Sequence, residues 1–66
     1  MDQKLSGRAI VRDLFHGGYG LEYIADQTQR VGMAVEYMNG PIKSTMFEVY
    51  EEMVEALEDL KATYVN

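Results

Sequence analysis

The chain is 66 residues long, 47% hydrophobic, and carries a formal net charge of −5. That length allows one domain with a thin core, burying only about 60% of the surface the unfolded chain exposes, and the absence of cysteine excludes disulfides and thiolate zinc sites. No run approaches the ~18 consecutive apolar residues of a membrane span, and Met1-Asp2-Gln3-Lys4-Leu5 lacks the apolar core of a signal peptide, so a cytoplasmic protein with no membrane partner is expected.

The first predicted helix covers residues 5–16. Ile10 and Leu14, and likewise Val11 and Phe15, are four apart, and Leu5 and Ala9 extend the apolar face back by a turn. Ser6 or Asp2 is its expected cap, and Gly17 its expected left-handed stop. A second helix is expected over 21–28, with Leu21, Ile24, Ala25 and Thr28 on one side. A third is expected over 32–39, with Ala34, Val35 and Met38 inward. Asn39-Gly40-Pro41 is a strong boundary, since glycine suits the end of one helix and proline the first turn of the next. The last helix starts at Pro41 or, where Thr45-x-x-Glu48 forms a capping box, at Thr45. Along it Met46, Tyr50, Met53, Leu57, Leu60 and Tyr64 recur at steps of four and three, a heptad seam flanked by Phe47, Val54 and Lys61. No strand pattern competes, and the expected fold is all-α.

Charge is unevenly placed. Over residues 1–43, five cations (Lys4, Arg8, Arg12, Arg30, Lys43) balance five anions, whereas over 44–66 six carboxylates face only Lys61. The whole net charge therefore belongs to the last third of the chain. A 66-residue chain without staples also points to self-association as an extra stabiliser. The heptad seam (Met46, Tyr50, Met53, Leu57, Leu60, Tyr64) is its expected homodimer interface; a helix folding back over its own core is the alternative use of the same residues.

Ile24-Ala25, Arg30 and Ala34-Val35 stand at the spacing of a helix-turn-helix core, where Ala25 is small at a helix crossing and Ile24 and Val35 fill the space between. Over residues 8–39 the chain resembles the helix-turn-helix domain of small bacterial and phage transcriptional regulators. Thr28-Gln29 and Val31 stand around Arg30 where that family usually has Leu-Gly and Ser. The resemblance implies a single domain with a tri-helical unit (5–39) followed by the long amphipathic helix (41–64). It further implies a double-stranded DNA partner. Arg30 would then anchor a phosphate, assisted by Arg8, Arg12 and Lys4, and Gln29, Met33, Glu36 and Tyr37 would lie nearest the bases.

A second reading starts from the acidic last helix. Six carboxylates there make a concentrated negative field suited to a basic host protein, which describes a small inhibitor or adaptor, DNA-mimicking in one form, that does not touch DNA. Chemistry is not expected. His16 is the only histidine and sits at a helix end, so no nucleophile–base pair can be assembled. Glu48, Glu51, Glu52 and Glu55 lack the histidine of carboxylate metal bundles. Gly17-Gly18-Tyr19-Gly20 follows a helix rather than a strand and lacks the Lys-Ser/Thr of a phosphate loop. No enzyme activity, cofactor or metal is expected.

Overall fold

Ser6 opens the first helix. The computed structural model describes residues 6–64, in which three helices follow one another: α1 (Gly7–His16), α2 (Leu21–Glu36) and α3 (Pro41–Tyr64). The Ser6 hydroxyl accepts from the Ala9 amide at 3.3 Å, the N-cap expected of it. Asp2, Lys4 and Leu5 lie outside the described residues. At the other end the left-handed residue is Gly18 (φ 95°) rather than Gly17 (φ −77°). The Tyr19 amide donates to the Leu14 carbonyl and the Gly18 amide to that of Phe15. These are the two bonds of a Schellman stop, whose left-handed residue lies one position beyond the cap.

The all-α class and the long last helix agree with the sequence expectation; the division of residues 21–39 into two helices does not. They form one helix, α2, which ends at Glu36, and the turn of a helix-turn-helix unit is not formed. The physical reason is an unbroken stripe. Leu21, Ile24, Ala25, Thr28, Val31, Gly32 and Val35 follow one another at helical spacing, all buried or half-buried, while Ala34, expected inward, is exposed. A turn after Thr28 would throw this register off. Nothing in Thr28-Gln29-Arg30-Val31 breaks a helix, and the Thr28 hydroxyl is satisfied inside it, donating to the Ile24 carbonyl at 2.8 Å.

A four-residue connection, 37–40, then reverses the chain. Gly40 has φ 78° and Pro41 opens α3, four residues ahead of the alternative start at Thr45. At 1.5 Å per residue the three helices are about 15, 24 and 36 Å long. The two shorter ones pack on α3 and touch each other much less. Gly32 lies against Tyr50, and Leu21 and Ala25 share a surface cleft with Lys61, so α2 runs antiparallel to α3. Gly7 meets Val49–Met53 and the Phe15 ring lies tilted against Tyr64 with centroids 5.1 Å apart, so α1 runs parallel to it. Val11, Ile24, Val49, Met53, Ala56 and Leu57 form the core. The molecule measures 40 × 30 × 17 Å, and its thin dimension is about two helix layers.

Gly7 fixes how closely α1 approaches. A Cβ there would overlap the Val49 carbonyl oxygen and lie 2.7 Å from the Met53 amide nitrogen and 2.8 Å from the Glu52 Cβ. With only hydrogen in that place, the Glu52 carboxylate reaches the start of α1, accepting from the Gly7 amide at 2.8 Å and from the Ser6 hydroxyl at 3.1 Å. A carboxylate at a helix N-terminus is favoured both by unpaired amides and by the helix dipole.

Gly7→Ala separates packing from propensity. In an isolated helix alanine is the better residue by up to ~1 kcal/mol. Here the variant is expected to be less stable, at or beyond the upper end of the ~1–3 kcal/mol typical of overpacked cores, read as a lower urea midpoint at unchanged m-value. An equal or higher midpoint would show that α1 does not dock this closely.

Candidate functional site

The residues expected to face DNA do not form one basic surface. Arg30 Nε lies 2.8 Å from Asp26 one turn earlier on α2. Arg8 spans two carboxylates of α3, 3.2 Å from Glu55 and 3.1 Å from Asp59. Arg12 Nε is 3.2 Å from the neighbouring Asp13. The hydrogen bond to Asp59, then that to Glu55, raises the pKa of Arg8, and the bond to Asp26 followed by its coulombic attraction raises that of Arg30. All three guanidinium groups are more than half exposed, so these pairs contribute little to stability. Their effect is on the surface potential, since each positive charge is cancelled within the chain.

Position divides the set as well. Arg8 and Arg12 line a groove between α1 and the end of α3, together with Phe15, the exposed His16 and Tyr64. Gln29, Met33 and Glu36 line a different cleft, between α2 and the first half of α3. Tyr37 caps the end of α2 and is 83% exposed.

The residues of the expected dimer seam are largely consumed inside the chain. Met53 is 1% and Leu57 6% exposed, both in the core formed with Val11 and Ile24. Met46 and Leu60 pack against that core, and Tyr50 is half-buried beside Gly32. Only Tyr64 is largely exposed, and its ring meets Phe15. The assignment of Met53 and Leu57 to a surface between subunits is therefore corrected: two helices of the same chain cover them.

What remains exposed and apolar gathers on the other flank of α3. Met33 (56% exposed) and Phe47 (48% exposed) stand on facing walls of the α2–α3 cleft, about 500 Å³ in volume, with Gly32, Val35 and Tyr50 also lining it. The floor depends on Gly32, because a Cβ there would lie 2.6 Å from the Tyr50 ring. The Phe47 and Tyr50 rings, tilted with centroids 6.3 Å apart, form a ridge, beyond which a second cleft is lined by Glu51, Val54 and Glu55. Glu36 stands on the α2 rim and Glu51 on the α3 side, neither in an ion pair among the described residues, and Lys43 is the cation of the cleft.

Gln29, Met33 and Glu36, expected with Tyr37 nearest the bases of DNA, line one cleft, but their neighbours there are Lys43, Phe47 and Tyr50 of α3. The signal for these neighbours was the flank of the heptad, Phe47 and Val54, which cannot share the inward seam. Glu52, one of the six carboxylates of the acidic last helix, is engaged at the start of α1. Among the described residues no group of three or more His, Asp or Glu is placed to hold a metal ion, and no helix is long and apolar enough to cross a membrane. Comparison with family models, with characterised proteins and with solved structures finds no match.

Leu57→Asp tests how the seam is used. With the seam packed within the chain, the variant both loses apolar packing and buries a carboxylate, which costs about 3 kcal/mol or more. The expected result is loss of the cooperative thermal transition in circular dichroism. A folded variant with half the wild-type mass in sedimentation would instead return the seam to an interface between subunits.

Proposed function

We propose that this chain is a small acidic protein-binding module, an inhibitor or adaptor that acts by engaging a basic surface of a partner protein. The observation that carries this reading is how the charges are distributed on the folded chain. Arg8, Arg12 and Arg30 each lie within 3.2 Å of a carboxylate. Glu36, Glu48 and Glu51 are exposed with no such partner among the described residues. Such a surface presents negative charge outward and keeps its arginines occupied, leaving Lys43 as the exposed cation without an ion pair among the described residues. Nucleic acid requires the opposite, because its affinity comes largely from cations that displace condensed counterions from phosphate.

The alternative is the DNA-binding regulator implied by the helix-turn-helix resemblance. It would need a separate recognition helix presenting Arg30, Gln29, Met33, Glu36 and Tyr37 to a major groove. On a continuous α2, Gln29, Met33 and Glu36 border an apolar cleft instead, Arg30 is paired with Asp26, and Glu36 would meet phosphate as a like charge.

Two selections run in parallel on the immobilised chain decide between the readings: one from a random double-stranded DNA pool at low salt, the other from a random peptide display library. The expected outcome is enrichment of peptides with net positive charge, binding that weakens as salt rises, and no enriched DNA. Enrichment of a DNA sequence without any peptide would overturn the protein-binding reading.

A further inference from the structure

We infer that the α2–α3 cleft is the docking site of a partner's amphipathic helix, one with an apolar stripe bordered by lysine or arginine. This rests on the protein-binding reading and adds where the partner sits and what it presents. Three features of the cleft lead to it.

The first is shape. The cleft lies between two antiparallel helices, walled by residues 29–36 of α2 and 43–50 of α3, and a groove between helices is a form in which a partner helix lays its apolar stripe. Its floor is smooth because Gly32 carries no side chain and the Tyr50 ring lies over it. The second is chemistry. Met33 and Phe47 are two large apolar side chains, each about half exposed, facing one another across that floor, with the still more exposed Tyr37 just beyond the end of α2. Exposed apolar side chains scattered singly need no explanation, but a contiguous group rimmed by polar residues marks an interaction surface. A flexible methionine beside aromatic rings also adapts to a partner's side chains at low cost.

The third feature selects the occupant. Glu36 on one rim and Glu51 on the other side of the apolar strip lack ion-pair partners among the described residues. Cations flanking a partner's apolar stripe would lie within reach of both. A second copy of this chain fits less well, because its cleft offers one cation, Lys43, against two carboxylates, and like charges juxtaposed at an interface are costly. Lys43 shares the cleft with Glu36 and not with Glu51, so of the two carboxylates Glu51 is the stronger anchor for a partner cation.

The test uses the full chain, isotopically labelled, and three synthetic peptides of about 16 residues, the length of a four-turn helix. One carries a leucine–phenylalanine stripe flanked by lysine and arginine, the second the same stripe flanked by glutamate, and the third the same cations without the stripe. The expected result is that only the first binds tightly, shifting amide resonances of residues 29–36 and 43–54. Met33→Ser with Phe47→Ser changes two exposed positions and leaves the fold intact by circular dichroism. It is expected to weaken binding about tenfold or more, the effect of losing a central apolar anchor. Glu51→Lys is expected to reduce affinity and its salt dependence together.

Binding of the first peptide with shifts confined to the Arg8–Arg12 groove would overturn the cleft assignment and leave the protein-binding reading standing. Equal binding of the glutamate-flanked peptide would overturn the basic character of the partner. Self-association of the chain alone, abolished by the Met33 and Phe47 substitutions, would assign the cleft to a second copy and overturn a foreign helix. Failure of every peptide to bind would overturn the cleft proposal, whereas peptides enriched in the display selection would then preserve the broader reading.

Discussion

The constraint on which the rest of this structure depends is the apolar stripe of α3 centred on Met53. Val49, Met53, Ala56 and Leu57 face one way along a helix about 36 Å long, and the described residues hold two further helices with which to cover them. Each solves part of the problem. α1 is short but comes very close, because Gly7 lets it rest on the α3 backbone and Glu52 ties down its first amide. α2 is longer, and its continuous stripe from Leu21 to Val35 runs antiparallel along the opposite flank. Ile24 and Val11, from the two different helices, are almost completely buried at the centre.

This division of labour determines the outer surface. Once α1 and α2 occupy the inward stripe, Phe47 and half-buried Tyr50 and Val54 remain on the flank of α3 next to α2. Opposite them Met33 projects from the same helix that buries Val35, so the cleft results directly from how α2 docks. The electrostatics follow the same logic. α1 brings Arg8 onto Glu55 and Asp59, which uses two of the α3 carboxylates, and Glu52 is used at the α1 N-terminus. Glu48 and Glu51 stay outward.

Much of the fold was legible in the residues themselves. The Ser6 cap, the Gly40–Pro41 boundary and the three–four spacing of Met46, Tyr50, Met53 and Leu57 each have a local physical cause, and each took the form expected. The seam could not reveal its partner, because a stripe of that width suits a second chain or the chain's own helices equally well. Residues 28–32 misled for a different reason. The spacing of Ile24-Ala25 and Ala34-Val35 suits two crossing helices, yet the intervening Thr28, Val31 and Gly32 keep the apolar register of one. Gly32 weakens an isolated helix, but here it is the residue that admits the Tyr50 ring, a contact between positions distant in sequence. Gly7 and Glu52 were illegible for the same reason: their role exists only where α1 crosses α3. The cleft inherits this limit, since half its wall comes from each of two helices.

Hydrogen exchange at the amides of Gln29, Arg30, Val31 and Gly32 tests the central claim most directly. A continuous α2 held along α3 predicts protection comparable to that of Thr28 and Val35, because all these amides belong to one cooperative element. Exchange in 29–32 as fast as at the connecting residues Gly20 and Asn39, flanked by protected segments on both sides, would contradict it and return a turn to the middle of this helix.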